Sequence, residues 1–224
     1  MRLIRAPGVY RPQTDSWLLC RALHDLPRIP GARVLDACAG TGVATLAAAA
    51  AGAGSLTAID LSWPALMSTW LNCRVRGIAV ELLHGDFSAA LRLPRFDLVV
   101  ANPPYVPAAT PRARGSALAW DAGPDGRSVL DRLCRTLPDL LTDRGCGLIV
   151  HSAISDPDRS LCQLRERGVD AQVVAGGTVP FGPVMRSRAR WLAERGHIRA
   201  GQDEEELVVI RIDRTESPVV GERQ

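Results

Sequence analysis

The chain has 224 residues, 46% of them hydrophobic, and a formal net charge of +3 in which every basic side chain is arginine. That length and apolar content support one buried core in a single α/β domain, and the charge is too small for a surface that tracks phosphates. No apolar run spans a bilayer, and Met1-Arg2-Leu3-Ile4-Arg5 lacks the apolar centre of a signal peptide, so a cytoplasmic protein without a membrane partner is expected.

The six cysteines (Cys20, Cys38, Cys73, Cys134, Cys146, Cys162) show no C-x-x-C pair and no histidine at zinc-ligand spacing. They read as reduced, mostly buried small hydrophobes, and no metal site is expected. Val9 to Ser16 leads into a helical pattern of Trp17, Leu18, Leu19, Ala22, Leu23 and Leu26. Asp15 or Ser16 is its natural N-cap, and Pro27 and Pro30 end it. Residues 1–30 are therefore expected to be a lid segment and helix packed across the sheet edge. Arg33–Ala37 is the first strand, followed by the small-residue loop Cys38-Ala39-Gly40-Thr41-Gly42 and an alanine-rich helix. This is the first unit of a doubly wound sheet. Small residues let the loop backbone approach a ligand, and the helix N-terminus offers free N–H groups. The loop fits neither the dinucleotide nor the P-loop pattern.

Ser55–Ile59 is the second strand, with Asp60 at its end, about 20 residues after the loop, placed either for a ribose diol or as a helix cap. A helix over 63–76 and a third strand over 78–83 lead to Gly85-Asp86-Phe87, where Asp86 is able to accept from an adenine amine while Phe87 covers the ring. The fourth strand, Phe96–Ala101, delivers Asn102-Pro103-Pro104-Tyr105. Both prolines fix φ, and the residue before each is pushed to extended geometry, so the chain leaves the sheet as a stiff elbow. Asn102 contributes an amide and Pro103 a carbonyl without a ladder partner. Two acceptors on a rigid corner suit a planar NH2, either a carboxamide or the exocyclic amine of a base, with Tyr105 against its flat face. Beyond it, the spacing predicts a long loop over 107–126 and a helix over 127–142. A strand over 147–150, a helix over 158–168 and a strand over 171–175 come next. A helix over 186–195, a last strand over 206–212 and a polar tail from 214 complete the chain.

Together these segments resemble the class I S-adenosylmethionine-dependent methyltransferases, and most of all the HemK family of N5-glutamine methyltransferases that act on peptide release factors. The resemblance runs from Val9 to Ile212. It rests on Val9-Tyr10-x-Pro12-x-x-Asp15-Ser16, on Val34-Leu35-Asp36-x-x-x-Gly40-Thr41-Gly42, and on Asp60, Asp86 and Asn102-Pro103-Pro104-Tyr105. Trp120-x-x-Gly123-x-Asp125-Gly126-Arg127 belongs to the resemblance too, and is more telling than the Gly loop because generic methyltransferases lack it.

The resemblance implies a Rossmann-like doubly wound α/β sheet of seven strands over 31–213, the last antiparallel, with S-adenosylmethionine as cofactor. It places Ser16 in a segment closing over that cofactor, Asp36 on the methionine ammonium, and Gly40 and Gly42 in the binding loop. Asp60 falls on the ribose, Asp86 and Phe87 on the adenine, and Asn102 and Pro103 on the substrate amide, with Pro104 and Tyr105 completing the elbow. Cys38 stands where the family has its first loop glycine, and its side chain is expected to point away from the methionine moiety. The chain starts shortly before Val9, so the short branch, typified by the eukaryotic and archaeal enzyme and without an N-terminal helical substrate domain, is the one it resembles. That branch implies a release-factor-like protein substrate and a small zinc-binding activator subunit. The rival readings are methylation of an exocyclic amine on DNA or RNA, methylation of a protein lysine, and a non-catalytic cofactor-binding scaffold. Duplex-binding enzymes need a recognition surface for which this chain has neither length nor basic face.

Overall fold

Strands that are apolar at successive positions need cover on both faces, and the chain supplies helices for both. The computed structural model describes residues 2–27, 29–110 and 114–214. In chain order the elements are α1 (Thr14–His24), β1 (Arg33–Ala37), α2 (Val43–Ala50), β2 (Ser55–Asp60), α3 (Trp63–Arg74) and β3 (Glu81–His84). They continue as β4 (Phe96–Ala101), α4 (Leu130–Leu140), β5 (Leu141–Ser152), α5 (Pro157–Glu166), β6 (Asp170–Pro180), α6 (Pro183–Glu194) and β7 (Glu204–Asp213). They build one seven-stranded sheet in the order β3-β2-β1-β4-β5-β7-β6. The first five strands are parallel, and β7 runs antiparallel to both β5 and β6. The predicted fold is the observed one.

Alternate residues of each strand serve opposite cores. Leu98, Val100, Leu148 and Val150 meet Leu19 and Leu23 of α1 and Ala44 and Ala48 of α2. Val99, Ala101, Ile149 and Ile210 meet Leu133 and Leu137 of α4 and Leu164 of α5. The strand order reverses between β1 and β4, so the loop after β1 and the elbow after β4 leave side by side at the carboxyl ends, where open α/β sheets bind ligands.

Several boundaries differ from the sequence reading. Helix α1 starts at Thr14 behind Gln13, which makes no side-chain cap, so Asp15 and Ser16 are buried in its first turn rather than capping it. The third strand begins at Glu81, because the Ile78 N–H turns back to the Cys73 carbonyl. The fifth strand begins at Leu141, paired with Phe96, and five residues of β5 then span two of β4 before Cys146 meets Leu98. That bulge holds the polar run Thr142 to Gly145, which reads as helix end when the partner strand is unseen. Strand β6 extends through Gly176 and Gly177 to Pro180, because the ladder to β7 overrides two weak strand formers. Inside the long loop, Gly115–Ala119 forms one 3-10 turn. Of the expected polar tail only Arg214 lies among the described residues.

Candidate active site

The carboxyl edge opens into a cavity of about 460 Å3 walled by the loop after β1, the ends of β2 and β4, the segment before α1 and the start of α4. Ser16, Asp36, Gly40, Asp60, Asp86, Phe87, Asn102, Pro103, Pro104 and Tyr105 all line it. Gly42 does not. Its φ of +75° starts α2, and a Cβ there would stand 2.8 Å from Thr69 Cγ2, so this glycine serves the packing of α2 on α3.

At the elbow, Asn102 Nδ2 donates to Asp15 Oδ2 at 3.1 Å and to Ser16 Oγ at 3.1 Å. Asp15 Oδ2 also accepts from Tyr10 Oη at 2.9 Å and Tyr105 Oη at 3.2 Å, and its Oδ1 accepts from the Ser16 N–H at 2.6 Å. Burial, with the negative charge of Asp15 behind it, pushes the Tyr105 phenol far above its ordinary pKa, so it stays a donor. Among the described residues no donor reaches Asn102 Oδ1 or the Pro103 carbonyl, the two acceptors left at the cavity wall.

The acids at the strand ends are held by backbone. Asp36 Oδ2 accepts from the Thr45 N–H at 2.9 Å and its hydroxyl at 2.6 Å. Burial raises its pKa to about 6, against the lowering effect of those two bonds. Asp60 takes the Gly40 N–H on Oδ2 and the Ser62 N–H on Oδ1, each at under 3 Å, and burial raises it as well. A carboxylate has about four acceptor sites, so one remains open on each oxygen for a diol. Thr41 Oγ1, buried in the same loop, has no partner among the described residues. A molecule with a cationic amine, a carboxylate, a diol and a flat heterocycle fits this donor and acceptor set.

Asp86 is more occupied than the sequence suggests. Its Oδ1 caps the 3-10 turn at Phe87–Arg92 through the Ser88 N–H, and its Oδ2 pairs with Arg132. Arg132 also lies 5.3 Å over the Phe87 ring, and Phe87 itself is sunk into the core. Cys38 has φ +69°, the left-handed conformation that explains a family glycine there. Its side chain packs against the core while the residue stands in the cavity wall, and burial first, then Asp60, keeps the thiol protonated.

The sequence reading missed Asp15, Tyr10 and Arg132. Asp15 and Tyr10 stand in the Val9 to Ser16 segment, where capping accounts for the acid and the partners it meets come from the elbow after β4. Arg132 stands in a plain amphipathic helix and gives no signal.

A family model described as Methyltransferase small domain matches residues 1–117. A Methanocaldococcus jannaschii protein provisionally named protein N5-glutamine methyltransferase is 30% identical over 181 residues, 80% of this chain and 90% of that one. Methyltransferase HEMK2 of Mus musculus is 32% identical over 171 residues, 72% of this chain and 79% of that one. Among solved structures, the E. cuniculi Mtq2-Trm112 complex, described as responsible for the methylation of the eRF1 translation termination factor, superposes with a TM-score of 0.59. It is 22% identical and covers 93% of this chain and 99% of that one. With a family match over more than half its length and relatives of this similarity, the chain belongs to the HemK family of S-adenosylmethionine-dependent methyltransferases.

Proposed function

We propose that this protein transfers a methyl group from S-adenosylmethionine to the side-chain amide nitrogen of a glutamine in a protein of the release-factor type. The observation that carries this reading is the pair of unpartnered acceptors, Asn102 Oδ1 and the Pro103 carbonyl, on a corner fixed by two prolines. A carboxamide has two N–H bonds in one plane, and two acceptors at a rigid corner satisfy both. The names of the relatives, protein N5-glutamine methyltransferase among them, support the same choice.

Asp36 and the loop through Gly40 and Thr41 hold the amino-acid end of the cofactor, Asp60 its ribose, and Asp86 with Phe87 and Arg132 its adenine. The bound cofactor supplies an electrophilic methyl carbon on a sulfonium. Asn102 and Pro103 do the rest by orientation. With both N–H bonds tied in the amide plane, the electron density of the nitrogen faces perpendicular to it, and each acceptor adds to that density as positive charge develops. Tyr105 closes one side of the amide as a neutral phenol. No residue at the elbow is placed as a strong base, because Tyr105 is a poor acid and Asp15 is filled by donors, so the proton leaves to solvent after transfer.

A small zinc-binding activator subunit belongs to the same proposal. Trp63, Met67 and Trp70 lie along one face of α3 with 61%, 48% and 40% of their surface exposed, next to the edge strand β3. The solved structure named above is itself a complex of two proteins, Mtq2 and Trm112.

The test is methyl transfer from labelled cofactor to a release factor bearing a Gly-Gly-Gln loop and, side by side, to duplex and single-stranded DNA, with wild type and Asn102→Ala. Label in the release factor that disappears when the loop glutamine is replaced, and that Asn102→Ala abolishes, is expected. Label confined to nucleic acid overturns the reading.

A further inference from the structure

We infer that Asp15 and Ser16 form a polarity lock that decides which end of the Asn102 amide faces the substrate. The inference rests on the glutamine reading for its kinetic consequence but not for its geometry. An asparagine amide turned by 180° keeps its shape and exchanges an acceptor for a donor, and the torsion that turns it is soft. At this corner the exchange would set an NH2 against the NH2 of the incoming amide, so the site works in one of two isosteric states.

The lock follows from what each neighbour is able to do. A carboxylate only accepts, so Asp15 Oδ2 at 3.1 Å demands an N–H from Asn102. Ser16 Oγ has a single proton, and it points to Asp15 Oδ1 at 3.1 Å. Toward Asn102, also 3.1 Å away, that hydroxyl is left as an acceptor. Both N–H groups of Asn102 are thus consumed by atoms with no alternative role, and Oδ1 is forced toward the cavity. Turning the amide loses two hydrogen bonds and brings oxygen against oxygen. Asp15 in turn has no freedom to adapt. It is 4% exposed and held by the Ser16 N–H and the hydroxyls of Tyr10 and Tyr105, both of them donors. The lock joins residues 87 positions apart, from the first turn of α1 to the end of β4. Asp15 is a positioning residue here, since it acts through Asn102 and not on the substrate.

Three variants test this: Asp15→Asn, which keeps the shape but adds a donor, Ser16→Ala, and Ser16→Thr, which restores the hydroxyl. For each, kcat on the release factor, the cofactor Kd and Tm are measured. The side-chain NH2 of Asn102 is also followed by proton exchange in the ligand-free protein. The expected result is a fall in kcat of about 100-fold for Asp15→Asn and about tenfold for Ser16→Ala, the latter mostly recovered in Ser16→Thr. In Asp15→Asn the cofactor Kd stays within about threefold, and the slow exchange of the Asn102 NH2 is lost. Wild-type kcat in Asp15→Asn overturns the lock, as does a fall in kcat that merely follows parallel losses in Kd and Tm. Should wild type not methylate glutamine at all, the functional reading fails, and the exchange of the Asn102 NH2 alone decides the lock: slow in wild type and fast in Asp15→Asn supports it, equal rates overturn it.

Discussion

Asp36 is 3% exposed and has its pKa raised to about 6, burial outweighing the two bonds from Thr45. A carboxyl whose folded pKa lies above its unfolded one favours folding below about pH 4, and that contribution is gone once pH has risen past the folded value. At pH 7.5 the ionised Asp36 is therefore a cost, at most roughly 3 kcal/mol for a shift of about two units. In the proposed function that charge serves the cationic end of the cofactor. Asp36→Asn is expected to stabilise the empty protein at pH 7.5 by roughly 1–2 kcal/mol, to keep about half of that advantage at pH 5 and lose most of it by about pH 4, and to weaken cofactor binding at least tenfold. Urea unfolding at the two pH values and calorimetric titration of the cofactor check it. Residues such as Asp36, Asp60 and Asn102 were legible because each ends a strand, where position in the sequence is position in the site. Asp15 and Arg132 were not, because their roles depend on partners delivered by other elements, Asn102 and Asp86.

Two prolines stiffen the elbow after β4, but its exit is fixed from outside by the run Trp120 to Arg127. The Val106 N–H bonds the Trp120 carbonyl, the Ala122 N–H bonds the Val106 carbonyl, and Ser155 Oγ donates to the Tyr105 carbonyl at 2.6 Å. Gly126 has φ +72°, and a Cβ on it would stand 2.5 Å from that same carbonyl. Arg127, 2% exposed, holds the run down through Asp131, Ser160 and the Ser155 and Asp156 carbonyls. Gly126→Ala is expected to cost about 2 kcal/mol and to reduce kcat by more than the cofactor affinity, because the elbow must shift. Arg127→Ala leaves the Ser155 and Asp156 carbonyls without this donor and Asp131 with Arg159 alone, at roughly 3 kcal/mol, read in the same urea experiment. This gives the motif, more telling in the sequence than the Gly loop, a physical role: it is the brace of the elbow. Elements defined by their own periodicity, such as α2 and β4, were legible to the residue. The ends of β5 and β6 were not, since a bulge opposite Phe96 and a glycine pair carried by β7 exist only in the paired sheet.

For the molecule as a whole, the apolar stripe on α3 is the feature a lone chain leaves exposed. Trp63 stacks on His84 at 4.3 Å, which joins the stripe to the edge strand β3. The double change Trp63→Ser and Trp70→Ser is expected to suppress concentration-dependent association in sedimentation experiments and to leave turnover per chain unchanged, neither residue lining the cavity. The same change is expected to abolish capture of a small activator subunit. The doubly wound plan was legible from alternating strands and helices, whereas this surface was not, because exposure is a property of the finished packing. Strand β7 has one more consequence, in time. Inserted between β5 and β6, it closes the sheet on which α1 rests. Asp15 is synthesised 198 residues ahead of Asp213 (213 − 15), an interval on the order of ten seconds or more at ordinary synthesis rates. Through that interval the helix bearing Asp15 has only part of its floor, so a nascent chain that ends between the elbow and β7 is expected to hold Asn102 without a firmly seated Asp15. The site is therefore expected to assemble only once β7 has been made and paired.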